Sequence, residues 1–320
     1  MSVKLTDEEF MGFWDKFGSA NEVSKASGMS LRGVNARRRK LEGKTGQILA
    51  GISPRSPDFK VMYAGNGIRT KVELENGVIM VASDCHYYPG IISTAHKAFV
   101  KLIPELKPKM IVMNGDVFDG SSISRHDPIG WQSLPSVKQE LEACSDRLYE
   151  IESASKSAKL HWTWGNHDLR FNTRLASQVG TAFEGVKGMN LTDHFPRWKF
   201  STSLMVNEHT MIKHRYHNGI HAVYNNVLKS GVSFVTGHLH SLKITPWTDM
   251  SAQKTRYGVD TGTMANLDDP AFDYAEDNPK NWRSGFAVLT FWEGKLMPPE
   301  LCEVISEGLV YFRGQVIEVP

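Results

Sequence analysis

Two periodicities divide the chain. Over the first 45 residues apolar positions recur at helical spacing. Phe10, Phe13, Trp14 and Phe17 fall on one face of a helix that Thr6 and Glu9 open as a capping box and Gly18 ends. Ser19 and Glu22 suggest a second capping box, opening a short helix with Ala20, Val23 and Ala26 inward. Gly28-Met29 reads as a turn, and Ser30 caps a third helix with Leu31, Val34 and Leu41 inward. From about residue 70 short apolar runs alternate with longer amphipathic stretches. Strands are expected at 78–82, 110–113, 161–164, 210–213 and 232–235, and helices at 93–106 and 136–157. After residue 240 the pattern is strand-rich, at 255–260, 286–292, 309–312 and 316–319. Two sheets packed face to face with outer helices follow from this order. Residues 46–68, with Gly46, Gly51, Pro54 and Pro57, read as a linker between a module at 1–45 and a domain at 69–320.

Composition narrows the picture. The chain has 320 residues and 41% hydrophobic content, enough to bury a large core. It has no apolar run long enough to span a bilayer and no signal-peptide pattern, so a membrane role is not expected. Cys85, Cys144 and Cys302 are scattered and odd in number, which suits a reducing cytoplasm better than a disulfide framework. Net charge is only +2, so any nucleic-acid affinity must come from a local patch. The third helix supplies one: Arg32, Arg37, Arg38, Arg39 and Lys40 point mostly outward. A short helix, a Gly turn and a basic helix resemble a helix-turn-helix, which makes DNA the expected partner. The plainer reading is a solvated basic helix in a docking bundle.

Five short motifs follow the five apolar runs. They are Asp84-Cys85-His86, Gly115-Asp116-Val117-Phe118-Asp119, Gly165-Asn166-His167-Asp168, a lone His214, and Gly237-His238-Leu239-His240. Open α/β sheets place their sites at the carboxyl ends of strands. Carboxylate, imidazole and amide oxygen together suit first-row divalent cations, and there are too many for one ion. A pair of ions needs a bridging carboxylate, for which Asp116 is the natural choice. Cys85 alternates away from Asp84 and His86 along an extended segment and is expected to pack in the core. Trp162 and Trp164 share a strand face and are expected there too, rather than stacking on a base.

The ordered set resembles the calcineurin-like metallophosphoesterases of the type found in phages and prophages, over roughly residues 70 to 300. The resemblance implies an α/β fold, a four-layer α/β/β/α sandwich, here with a small N-terminal all-α module. It implies that Asp84, His86, Asp116 and His240 hold one divalent ion and that Asp116, Asn166, His214 and His238 hold a second. Mn²⁺ is the first choice, with Fe²⁺, Zn²⁺ or Ni²⁺ as alternatives. Arg215 stands where the family often has Gly, so His217 and His221 compete with His214 as the lone ligand. His167 is implied as the residue facing the phosphate, a general acid or charge stabiliser, with Asp119 orienting it. Asp119 also suits a helix N-cap.

Arg125, His126 and Arg170, together with His217, are candidate substrate contacts, an Arg beside a metal site being able to hold a phosphate oxygen through paired N–H groups. Asp127 and Arg174 lie in the same stretches. For each single Arg a surface ion pair is at least as good a reading. Asp260-Thr261-Gly262-Thr263 reads as support for the metal loops. The expected function is two-metal hydrolysis of a phosphoester by a hydroxide held between the ions, most simply a phosphodiesterase or nuclease acting on DNA. The alternatives are a phosphomonoesterase whose N-terminal module docks a partner, and a non-catalytic DNA-binding scaffold. Asp168, where phosphoprotein phosphatases of the superfamily carry Glu, leans toward the nuclease.

Overall fold

The computed structural model describes residues 5–45, 49, 59–63, 68–126, 131–251, 253–269, 272 and 281–319. The first three helices are α1 (Asp7–Phe17), α2 (Ala20–Ser27) and α3 (Leu31–Thr45). They close on Phe10, Trp14, Val23, Val34, Leu41 and Leu49. The capping box is present: Thr6 Oγ1 accepts from Glu9 N, and Glu9 accepts from Thr6 N. Gly18 ends α1 in the left-handed region, which a residue without Cβ adopts at little cost. Three expectations change. Ser19 caps α2 without its side chain, and Glu22 pairs with Lys25 instead. Ala26 is exposed and Ser27 turns inward, its hydroxyl donating to Val23 O. Leu31, at the first position of α3, is exposed, so Val34 and Leu41 alone carry that helix's buried face.

Most of the stretch read as a linker, including Gly46, Gly51, Pro54 and Pro57, lies outside the described residues. Within it β1 (Phe59–Tyr63) pairs antiparallel with β2 (Arg69–Leu74). The chain continues through β3 (Gly77–Ala82), α4 (Thr94–Leu106), β4 (Met110–Met113), α5 (Val137–Ala154), β5 (Lys159–Thr163) and α6 (Asp168–Val179). Next come α7 (Leu191–His194), β6 (Lys199–Ser201), β7 (Ser203–Val206), β8 (Thr210–Ile212), α8 (Ala222–Ser230) and β9 (Ser233–Thr236). The last strands are β10 (Lys243–Asp249), β11 (Lys254–Asp260), β12 (Gly285–Trp292), β13 (Lys295–Leu296), β14 (Glu300–Ser306), β15 (Leu309–Phe312) and β16 (Gln315–Glu318).

Among the described residues these strands form two sheets. One has the order β1-β2-β7-β8-β9-β11-β10; the other runs β16-β15-β14-β12-β3-β4-β5-β6, with β13 on β12. Period-two alternation explains how they stack. Ile79, Val81, Met110, Val112, Leu289 and Phe291 of the larger sheet meet Val72, Leu204, Val206, Ile212, Val235 and Val259 of the smaller. Their neighbours Met80, Ile111, Met113, Phe286 and Val288 face the other way, onto Phe99 and Leu102 of α4 and Leu148 and Ile151 of α5. Each fully buried large side chain contributes about 1.5–3 kcal/mol, so a strand apolar on both faces is stable only as an inner layer. Helix α8 packs against β9, β10 and β11 on the outer side of the smaller sheet. The result is the expected α/β/β/α sandwich.

Parallel pairing of β3, β4, β5 and β6, and of β8 with β9, points the ends of five motif-bearing strands the same way within each sheet. Cys85 sits in the helix-facing core with Cys144 and Cys302, and all three thiols are free and buried. Trp162 is fully buried, and both Trp162 and Trp164 pack against Phe200 with ring centroids 4.8 Å apart. Among the described residues no helix is long and apolar enough to cross a membrane.

Candidate metal centre

The loops leaving β3, β4 and β9 bend sharply to bring their side chains together. Asp84, His86, Asp116, His238 and His240 all hold positive φ, between 41° and 72°. A non-Gly residue there costs on the order of 1–3 kcal/mol and persists only where its surroundings over-determine it. The glycines of the motifs make the approach possible. A Cβ on Gly165 would overlap the carboxylate and backbone N of Asp116, and one on Gly237 would overlap Ser83 and the Asp84 carboxylate.

Two groups of side chains result. Ligand atoms of Asp84, His86 and His240 lie within 4.8 Å of one another, as do those of Asp116, His214 and His238. His86, Asp116 and His167 form a third such group, which shares His86 with the first and Asp116 with the second. Asp84 Oδ1 is 3.1 Å from His240 Nε2, and Asp84 Oδ2 accepts from His238 N at 2.8 Å. His214 Nδ1 donates to the Asn114 carbonyl at 2.8 Å, which aims Nε2 at Asp116 Oδ2, 3.0 Å away. His86 Nδ1 donates to Asp119 at 2.8 Å, leaving its Nε2 toward the cluster. Such a partner on the far nitrogen fixes the tautomer of a ligating imidazole.

Burial opposes ionisation of Asp84, yet His240 and His214 beside it hold the carboxyl at about 2. Asp116 is likewise held well below the usual range, against burial, by His214 and His167. Burial also opposes charge on His214, but Asp116 and Asp84 raise it to about 10. His238 is pushed down to about 4 by burial and the neighbouring His214. Among the described residues, four of the twelve buried side-chain atoms without a hydrogen-bond partner lie at this site: His86 Nε2, Asn166 Oδ1, His214 Nε2 and His240 Nδ1. Buried polar groups left unmatched are costly, and all four belong to motif residues. Ionised carboxylates, imidazole lone pairs and an amide oxygen together fit divalent cations, which would take the place of the proton on His214.

Beside the clusters stands a second network. Asp119 Oδ1 accepts from His167 Nδ1 at 2.6 Å as well as from His86. Arg170 donates to the Asp119 carbonyl at 3.0 Å and lies 3.1 Å from His167 Nε2. The backbone N of His167 donates to Asp116 Oδ1 at 2.7 Å. Behind it Asp168 is fully buried and accepts five N–H groups: the backbones of Asp116, Val117, Phe118 and Gly165, and Trp162 Nε1, all between 2.8 and 3.1 Å.

The calcineurin-like phosphoesterase family matches residues 77–269, which span β3 to β11 and every motif. The chain belongs to the calcineurin-like phosphoesterase family. It is accordingly a metal-dependent hydrolase of phosphoesters, and its Asp and His clusters are the place of divalent ions. The Gene 54 protein of Mycobacterium phage L5 is 25% identical over 238 residues, 70% of this chain and 92% of that protein. A solved structure of Yfce, a phosphoesterase from E. coli, is 16% identical, covers 69% of this chain and 97% of its own, and has a TM-score of 0.31.

Other residues of this phosphoesterase fall in and out of the site. Arg125 and His126 are exposed on the loop after residues 121–123, close to each other; Asp127 lies outside the described residues. Arg174 is tied to the carbonyls of Ile123 and Ser124, a loop-fastening role. His217 is half-buried and held by Asn226 of α8, and His221 is exposed at the start of that helix. His214 is the histidine that reaches Asp116 and His238. The Asp260–Thr263 turn supports the loops as expected: Asp260 accepts from Ser241 N and Gly262 N, and Thr263 Oγ1 donates to the Asp84 carbonyl. Two aromatics that sequence reasoning passed over close one side. Trp282 lies 4.6 Å from the His240 ring, and Phe272 lies 5.3 Å from the rings of both His86 and His240. The signal available was the three aromatics Phe272, Tyr274 and Trp282 in the acidic and amide-rich stretch after that turn.

Proposed function

We propose that this chain is a two-metal phosphodiesterase acting on DNA. The observation that carries it is the pair of ligand groups brought together by His86 and Asp116, with His167 beside them and its Nδ1 held by Asp119. Asp84, His86, Asp116 and His240 would hold one ion; Asp116, Asn166, His214 and His238 the other. When bound, the pair neutralises charge on the attacking and leaving oxygens of an in-line displacement at phosphorus. Asp119 holds the imidazole by Nδ1, and His167, protonated at Nε2 once the phosphate draws Arg170 off that nitrogen, would give that proton to the leaving oxygen. Arg170, already at His167 Nε2, takes a phosphate oxygen. Mn²⁺ suits the mixed carboxylate, imidazole and amide set. The exposed Arg32, Arg39 and Lys40 of α3 support a nucleic-acid substrate.

Asp168 does not decide between monoester and diester. Its carboxylate is entirely taken up by loop N–H groups and faces no substrate. The deciding experiment is turnover, with Mn²⁺, Fe²⁺, Zn²⁺ and Ni²⁺ compared, of bis-p-nitrophenyl phosphate, p-nitrophenyl phosphate, and single- and double-stranded DNA. Diester and DNA cleavage are expected with Mn²⁺ and none in excess chelator. Cleavage of the monoester alone returns the phosphomonoesterase reading. Asp116→Ala is expected to remove turnover and lower the bound metal below two equivalents, because the proposed assignment puts that side chain on both ions and it stands between His86 of one group and His214 and His238 of the other.

A further inference from the structure

The wall made by Phe272 and Trp282 does more than cover His240. Phe272 is buried and packs on Trp282 with ring centroids 5.1 Å apart. Trp282 is half-buried; its ring meets His240, and the residue is among those lining a cavity of about 520 Å³. A cavity of that size takes one small organic group. We propose that this cavity is the subsite for a terminal nucleoside of the substrate, its unpaired base stacked on Trp282 and its phosphate at the metal clusters. The proposal rests on the phosphodiesterase reading for the placement of that phosphate.

Two features favour a single nucleoside over a strand running further. Every nucleobase offers a π face, so an indole beside the reacting phosphate suits a base whatever its identity. A paired base within a duplex has no such face to offer. The charges around the cavity oppose a second phosphate. Lys97 and Arg283 are outnumbered by Asp268, Glu303 and Glu307, and Arg283 is engaged with Glu303. A polyanion would meet an excess of carboxylate there, whereas a neutral base and sugar would not. The inference therefore assigns attack at a strand end or in a short oligonucleotide.

Calorimetry on the full chain loaded with Mn²⁺ tests it, with thymidine monophosphate and methyl phosphate as ligands. Stacking predicts that wild type binds thymidine monophosphate about tenfold more tightly than methyl phosphate. Trp282→Ala should bring thymidine monophosphate to the methyl phosphate level while methyl phosphate binding stays as it was. Trp282→Phe should keep most of the preference. A thymidine dinucleotide with one more phosphate should gain nothing over the mononucleotide. Equal binding of the two ligands by wild type, or no nucleotide binding at all, overturns the proposal. So does an equal loss for both in Trp282→Ala, which makes the indole a shield for His240, and so does a tenfold gain for the dinucleotide. Turnover of bis-p-nitrophenyl phosphate in the same samples reports on the diesterase reading separately. Intact turnover without a nucleotide preference sinks the subsite alone.

Discussion

Asp168 carries the geometry of the metal loops without touching the reaction. Its two oxygens gather the backbones of Asp116, Val117, Phe118 and Gly165 and the indole of Trp162. Removing the acceptor strands five buried donors, each worth about 1–3 kcal/mol when unmet. Asp168→Ala is therefore expected to destabilise the domain by at least about 3 kcal/mol in urea denaturation and to lose metal. Asp168→Asn, which keeps one oxygen, should fall between it and wild type. Equal stability of all three would remove the clamp. His167 stands differently: it follows a proposed ligand in sequence, yet its Nδ1 belongs to Asp119. His167→Asn should cut turnover by roughly 10²–10⁴ with metal content near wild type. A lost metal equivalent in that variant would make His167 a ligand instead.

At the scale of elements, the strands leading into the motifs are legible because each is short and buried over most of its length. β4 occupies residues 110–113 and α4 begins at Thr94 with Ser93 as its cap, close to where the pattern puts them. β2, β7, β10 and β14 escape the pattern. β2 alternates buried and solvated positions through Arg69, Lys71 and Glu73, and β10 carries Pro246 on a sheet edge, where no inward face marks it as a strand. β5 also contains a titrating group with a consequence for stability. His161 is buried, its Nε2 2.8 Å from Ser201 Oγ, and burial and then Lys199 push it from 6.5 down to about 3. The unfolded chain then takes up a proton that the folded chain refuses. The stability tied to this group is whole above about pH 6.5 and is lost as pH falls toward about 3, at about 1.4 kcal/mol per pH unit. His161→Gln should flatten the acid limb of the urea-midpoint-against-pH curve between those values. An unchanged slope would mean that His161 is protonated in the fold.

For the whole molecule the open question is what the N-terminal helices do for the catalytic sandwich. The basic residues of α3 do not act as one surface. Arg37 pairs with Asp7 at 3.0 Å and lies over Phe10, and Arg38 pairs with Glu42 and lies over Trp14. They fasten α3 to the module and to itself, whereas Arg32, Arg39 and Lys40 are exposed. If the module reads DNA, replacing Arg32, Arg39 and Lys40 with Ala should weaken binding and reduce the slope of log affinity against log salt by about 2–3. Turnover of a small chromogenic diester should stay as it was. Arg37→Ala should instead lower the melting temperature of the module. An unaltered salt slope in the triple variant would favour a partner-docking module.

The candidate metal ligands were legible because each motif is local: a strand ends and a ligand follows within a few positions, with a glycine at the turn in three of the five. Residue type then sufficed for the chemistry, and order along the chain for the family. What lay beyond spacing was every arrangement made by packing between distant segments. Asp119 serves His86 as well as His167, 33 and 48 residues away, because the loops after β3, β4 and β5 meet at one end of one sheet. His214 outranks His217 because its other nitrogen finds the Asn114 carbonyl, 100 residues earlier, while His217 is drawn to Asn226. Trp282 reaches His240 only because β12 lies antiparallel beside β3 and returns the chain past the metal loops. Contacts of that kind depend on strand order and register, which many spacings along a chain can produce, so they belong to the folded molecule.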